Sequence, residues 1–229
     1  MQTTPPQVRP EQRTAPDAYV RDWVRDIRAG DWQVDAVLGF CFGCVYAASI
    51  AEQVTRWQQP APLVILFDPL LTGTGFLIRE AQRALGQFTP LFSADEAEQA
   101  RLRTAGAART GPDGVLATAI ALAAEYRDIG AVAFARLGLR EARGQEMLRI
   151  FDAYLSWLSV AGQIDPGPVW RDATAVVSND YLNLARQEPA VSAASRLLGR
   201  TAAADASHAD LLRSEPAARV FLKHVQARA

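Results

Sequence analysis

Residues 34–54 read VDAVLGFCFGCVYAASIAEQV. The run Val34–Leu38 is apolar and β-branched, which suits a buried strand. Residues 45–57 carry Ala47, Ala48, Ile50, Ala51 and Val54 at helical spacing. Between them lies Gly39-Phe40-Cys41-Phe42-Gly43, a pinch flanked by glycines. A strand, a sharp turn and a helix are the context of the G-x-S-x-G nucleophile elbow, here with Cys in place of Ser. In such a turn the central residue is strained, and side chains two positions away on either side would collide with the neighbouring strand and helix. Cys41 is therefore expected at the carboxyl edge of a sheet, where the helix amino terminus favours a thiolate. The Phe42 N–H is the matching oxyanion donor. The plain alternative is a core cysteine in a tight turn.

Working outward, Pro60 and Pro62 close the helix, and PLVILFDP (residues 62–69) follows as a continuous apolar run. Such a run suits a strand buried on both faces of a parallel sheet. Strand, helix and strand make a βαβ unit. Ahead of it, Ala18, Val20, Trp23, Val24 and Ile27 mark an amphipathic helix over residues 17–29, ended by Gly30. Beyond it the pattern is helical at 76–88, 94–105, 115–126, 131–137 and 145–160. Residues 72–170 are thus a helical insertion, either a lid or ordinary packing helices. Strand character returns over 173–180 and 194–205, and a last helix is expected over 215–226. The expected fold is α/β: a single domain over residues 17–229 with a mostly parallel sheet, preceded by a disordered Pro-, Gln- and Thr-rich tail, residues 1–16.

Composition narrows the function. Of 229 residues, 49% are hydrophobic, and 24 Lys and Arg nearly balance 25 Asp and Glu. No global field points to nucleic acid or to an anionic membrane. No apolar run is long enough to span a bilayer, and the amino-terminal residues do not form a signal peptide. Cys41 and Cys44 are the only cysteines. They lack the second pair or the histidines of a zinc site, so no metal is expected. Reduced thiols fit a cytoplasmic protein. A C-x-x-C redox pair is a minor alternative, because Cys44 falls inside the expected helix.

A nucleophile needs a base, and there are two histidines. His224 lies in the last expected helix as an ordinary helix residue. His208 stands in the loop Asp205-Ala206-Ser207-His208-Ala209-Asp210, after strand-like sequence and before that helix. This is the histidine's place in the order nucleophile, acid, histidine; the plain alternative is a solvated loop residue. Two aspartates end strands at the same expected edge: Asp68, 27 residues after Cys41, and Asp180, 28 residues before His208. Residue pattern alone leaves both open as the acid, and the unused one reads as a turn or helix-cap residue.

Four segments together, LGFCFGCVYAASIAEQV, PLVILFDP, the helical insertion and ASHADLLRSEPAARVFLKHV, resemble the α/β-hydrolase thioesterases that serve polyketide synthases and nonribosomal peptide synthetases. The resemblance covers roughly residues 18–225, the insertion matching only in kind. It implies a reduced α/β-hydrolase fold, Cys41 as the acyl-accepting nucleophile and His208 as general base. The acid it implies is Asp68 in releasing thioesterases and Asp180 in the stand-alone editing type; the elbow-to-acid spacing and LFDP favour Asp68. It implies no cofactor, the substrate arriving on the phosphopantetheine of an acyl or peptidyl carrier protein. Two features depart from the family. Cysteine replaces the usual serine, which favours transfer or ring closure over plain hydrolysis. Only one helix and the polar tail precede Val34, where the family has several strands and the loop bearing the second oxyanion donor. Phe42 is then the one identified donor, and an exposed sheet edge makes a homodimer a further expectation. The non-catalytic alternative is a reduced hydrolase-fold module that binds a carrier protein or an acyl group.

Overall fold

The computed structural model describes residues 2, 3 and 5–226. The chain divides into two compact units. One is an α/β unit made of Pro16–Leu71 and the residues from Ile164 onward. The other is a helical unit made of Thr72–Gln163 with the residues ahead of Pro16.

In the α/β unit, α1 (Pro16–Ala29) buries Tyr19, Val20, Trp23 and Ile27 at steps of one, three and four residues. β1 (Ala36–Phe40) starts two residues later than the apolar run suggests, and α2 (Gly43–Val54) follows at once. The small residues Ala47, Ala48 and Ala51 let α2 lie close on the sheet. α1 docks on α2 through aromatic rings, Tyr19 stacking on Tyr46 at 5.4 Å and Trp23 meeting it edge-on at 5.8 Å. β2 (Leu63–Phe67) pairs with β1, then come α7 (Gly167–Trp170), β3 (Thr174–Val177), α8 (Asn179–Gln187), α9 (Pro189–Ser195), β4 (Arg200–Ala203) and α10 (Glu215–Gln226). The four strands form one sheet in the order β1-β2-β3-β4, every neighbour parallel. This is the expected α/β class, with a parallel sheet of four strands.

Side chains alternate across a strand, so the register sorts the faces. Gly39 and Leu66 point to the α2 side. Ile65, Phe67 and Val176 point to the other and pack with Leu211 and with Ala217 of α10. β1 and β4 are the two edge strands, and on β1 Leu38 is 51% exposed.

The segment 194–205, expected as one strand, contains the end of α9 and only four strand residues. The alanines and serines of Pro189–Ser195 form a helix with proline in its first turn, where the missing N–H costs nothing. Residues 164–170, expected in the insertion, belong to the α/β unit: Trp170 is fully buried and its Nε1–H donates to the Cys44 carbonyl at 3.2 Å.

The helical unit holds α3 (Thr74–Gly86), α4 (Ala94–Ala105), α5 (Gly114–Arg136) and α6 (Glu141–Ala161). Two helices expected over 115–126 and 131–137 are one. Gly130 is no breaker here: a Cβ on it would stand 2.7 Å from Leu148 Cδ2, so the glycine admits α6. α4 starts where expected because Ser93 and Glu96 form a reciprocal capping box. The residues ahead of Pro16, expected as a disordered tail, are part of this unit. Pro10 is buried, and Glu11 pairs with Arg127, which also donates to both oxygens of the buried Asp152 at 3.0 Å. No helix among the described residues is long and apolar enough to cross a membrane.

Candidate active site

Parallel pairing sets Phe40 of β1 opposite Phe67 of β2, so Cys41 and Asp68 each stand one residue past aligned strand ends. Cys41 is half-buried with φ of 54° and Asp68 has φ of 46°. Left-handed backbone at two non-glycine residues costs about 1–3 kcal/mol each and persists only where the surroundings enforce it. Here hydrogen bonds do so. The Cys41 N–H donates to the Phe67 carbonyl at 2.8 Å and the Asp68 N–H to the Val176 carbonyl at 3.1 Å, extending each ladder by one rung. The Cys41 carbonyl accepts from Cys44 N–H at 3.2 Å and from Leu70 N–H at 3.4 Å. The chain thus turns from β1 into α2 around a strained cysteine at the carboxyl edge of the sheet.

The two flanking glycines differ. A Cβ on Gly39 would stand 2.5 Å from the Cys44 Cα and 2.9 Å from the Ala47 Cβ, so only glycine lets α2 return over β1. A Cβ on Gly43 would meet nothing within 4 Å. The expectation of a steric role therefore holds for Gly39 and is corrected for Gly43. Phe42 is 4% exposed and precedes α2 as its N-cap, with no side chain capping that end. Its N–H lies among the amides of a helix amino terminus, which point outward and carry partial positive charge.

His208 arrives from the loop after β4. Its Nδ1 is 2.7 Å from Asp68 Oδ2, and its ring stacks on Phe40, the residue before Cys41, at 4.7 Å and 21°. With Nδ1–H donated to the carboxylate, the lone pair resides on Nε2, the tautomer of a general base. Asp68 is 1% exposed and both its oxygens accept hydrogen bonds: Oδ1 from Ser178 N–H at 2.7 Å, Oδ2 from Ser178 Oγ–H at 2.6 Å and from His208. Asp180 does not reach the imidazole. Its Oδ2 accepts the backbone N–H of His208 at 2.7 Å, so it holds the loop rather than the ring. Of the two aspartates left open by the sequence, Asp68 is the one on the histidine. His224 bonds the Val220 carbonyl of its own helix at 2.8 Å.

Ser178 was not legible as part of the site. Its signal is the N-cap of a helix: residues 173–180 read as strand, but the strand stops at Val177 and the Ser178 hydroxyl accepts from Tyr181 N–H at 3.1 Å to begin α8.

Behind the elbow the side chains are buried. Burial holds the Cys44 thiol well above the usual thiol range, the adjacent Cys41 and then Asp68 adding to it, and the thiol points at the Phe67 carbonyl, 3.5 Å away. Burial likewise raises the Tyr181 phenol, with Asp68 and Cys44 contributing. Among the described residues no group of three or more His, Cys, Asp and Glu side chains is arranged to hold a metal ion.

The carboxyl edge of the parallel sheet thus carries an elbow cysteine and, one strand over, a buried aspartate that holds a histidine ring stacked on the residue before that cysteine. No family model matches the sequence, and no curated protein matches it. Among solved structures the chain is similar in fold to homoserine O-acetyltransferase from Staphylococcus aureus, at 15% identity and a TM-score of 0.42. The match covers 92% of this chain and 64% of that one.

Proposed function

We propose that the protein is an acyl-transferring enzyme that works through an S-acyl intermediate on Cys41. The observation that carries this reading is His208 held by the buried Asp68 and stacked beside the residue that precedes the elbow cysteine. In the first half-reaction, His208 Nε2 takes the Cys41 proton as Sγ attacks an acyl carbonyl. The oxyanion faces the amide of Phe42, and the leaving thiol departs with the proton from the imidazolium. In the second, His208 removes a proton from the acceptor, water, an alcohol or an amine, which attacks the thioester and releases Cys41. Asp68 holds the imidazole in the required tautomer and stabilises its charged form.

The sequence resemblance to polyketide and nonribosomal peptide thioesterases extends the proposal to a substrate delivered as a phosphopantetheine thioester by an acyl or peptidyl carrier protein. The chain itself then requires no cofactor. A thioester on cysteine keeps the acyl group activated, so transfer or ring closure is favoured over simple hydrolysis.

The test is intact-protein mass spectrometry after exposure to acyl-pantetheine thioesters of several chain lengths. The wild type is expected to gain one acyl mass, Cys41→Ala none, and His208→Ala the same mass more slowly by about 10²- to 10⁴-fold, the usual range for a general base. A folded wild type that gains no acyl mass would overturn the proposal in favour of a non-catalytic module that binds a carrier protein.

A further inference from the structure

We propose that Ser178 is the positioning residue of this site, fixing the Asp68 carboxylate in the one orientation that serves His208. The inference rests on the reading of His208 and Asp68 as base and acid. Ser178 is fully buried at the end of β3 and touches both carboxylate oxygens, its N–H on Oδ1 at 2.7 Å and its Oγ–H on Oδ2 at 2.6 Å. The rotation of an aspartate carboxylate about its last bond is soft, so a single contact to His208 would leave it free to swing. Two donors from one rigid residue remove that freedom. The direction of the hydroxyl proton is itself fixed: Oγ already accepts the Tyr181 N–H at 3.1 Å, so its own hydrogen goes to Asp68.

Oδ2 is shared between the Ser178 hydroxyl and His208 Nδ1. Each donor draws charge from the oxygen the other uses, so Ser178 both orients the carboxylate and moderates its bond to the imidazole. The neighbouring residues set the histidine loop against the same helix start. The Asn179 N–H donates to the Ala206 carbonyl at 3.0 Å, Asn179 Nδ2 donates to Asp205 at 2.8 Å, and Asp180 accepts His208 N–H at 2.7 Å. The amino end of α8 thereby locates the acid through Ser178 and the base through Asn179 and Asp180.

The test reads the site spectroscopically as well as kinetically. In ¹⁵N-histidine-labelled protein only His208 and His224 contribute, and His224, bonded to Val220, serves as internal reference. Ser178→Ala is expected to move the His208 Nδ1–H resonance downfield, because His208 becomes the sole donor on Oδ2. It is also expected to slow Cys41 acylation by about 10- to 100-fold, the usual cost of losing an orienting partner. Ser178→Thr, which keeps the hydroxyl, is expected to restore both. A helix-capping role alone would change stability and leave the resonance in place. Should Ser178→Ala fail to fold, Ser178→Gly keeps the N–H to Oδ1 and most of the capping strength, and carries the same expectation. A His208 resonance that stays put or moves upfield when the hydroxyl is removed overturns the proposal whatever the acyl chemistry. A wild type that takes no acyl group refutes the functional reading instead, and leaves the resonance test standing.

Discussion

Replacing Gly39 by alanine should unfold the α/β unit far more readily than the same change at Gly43, four residues away. Carbon atoms pack at roughly 3.5–4.0 Å. The added methyl on Gly39 would lie 2.5 Å from the Cys44 Cα, 2.9 Å from the Ala47 Cβ and 3.0 Å from the Cys44 nitrogen. Two of these three atoms are backbone, so no side-chain rotation relieves the overlap. α2 must retreat from β1 by roughly 1 Å, against a buried face that includes Cys44, Ala47, Ala48 and Ala51. Overpacking of this kind costs about 3 kcal/mol, the upper part of its usual range, and shifts the folded-to-unfolded ratio by about two orders of magnitude. At Gly43 the methyl meets nothing within 4 Å and the backbone is not left-handed, so Gly43→Ala should fall within about 1 kcal/mol of wild type, on the stabilising side. Urea unfolding followed by tryptophan fluorescence reports on the right unit, because Trp23, Trp32, Trp57 and Trp170 all lie in it and only Trp157 does not. Equal midpoints for the two alanine variants, or a greater loss at Gly43, would refute the elbow geometry.

Two further outcomes follow from burial and charge. In native protein at pH 8, iodoacetamide should modify the half-buried Cys41 and spare Cys44, which is fully buried and whose thiol burial holds protonated; both should react once the chain is unfolded, and native labelling of Cys44 at a comparable rate would contradict the packing. Arg127→Met should destabilise the helical unit by about 3 kcal/mol near neutral pH by leaving the buried Asp152 without its main partner. Burial already pushes the Asp152 carboxyl up against the pull of Arg127, so without Arg127 the folded state binds that proton more tightly than the unfolded chain does. The deficit is therefore largest above the folded-state pKa and shrinks as pH falls through it; denaturant midpoints at several pH values would show a cost independent of pH if this is wrong.

Much of the site could be read from residue order. Gly39-x-Cys41 between an apolar run and an alanine-rich stretch fixes the elbow, since few arrangements tolerate so tight a return. The placing of His208 in a loop before the final helix follows from that same order. Residue pattern alone leaves Asp68 and Asp180 both open, the family resemblance favouring Asp68, because both end up beside His208: one meets its ring and the other its backbone. Ser178 was hidden for a related reason. TAVVSND is equally good as a strand that continues and as a strand followed at once by a capped helix, and only the tertiary position of Asp68 decides. In the helical unit the patterns at 115–126 and 131–137 belong to one helix, and Gly130 between them serves the close approach of α6, a tertiary contact that helical spacing does not record. The amino-terminal residues read as a tail because their contacts, Glu11 to Arg127 above all, are with residues more than a hundred positions away.

The measurement that bears most directly on the Cys41, His208 and Asp68 reading is the rate of acyl transfer to Cys41, mapped to that residue by peptide mass spectrometry, in Asp68→Asn and Asp180→Asn side by side. Asparagine at 68 can present its amide nitrogen to the imidazole and select the wrong tautomer, so transfer should fall by about 10³- to 10⁴-fold. Asparagine at 180 keeps an oxygen for the His208 N–H, so transfer should stay within about tenfold of wild type. The reverse order, with Asp180→Asn the more damaged, would contradict the account.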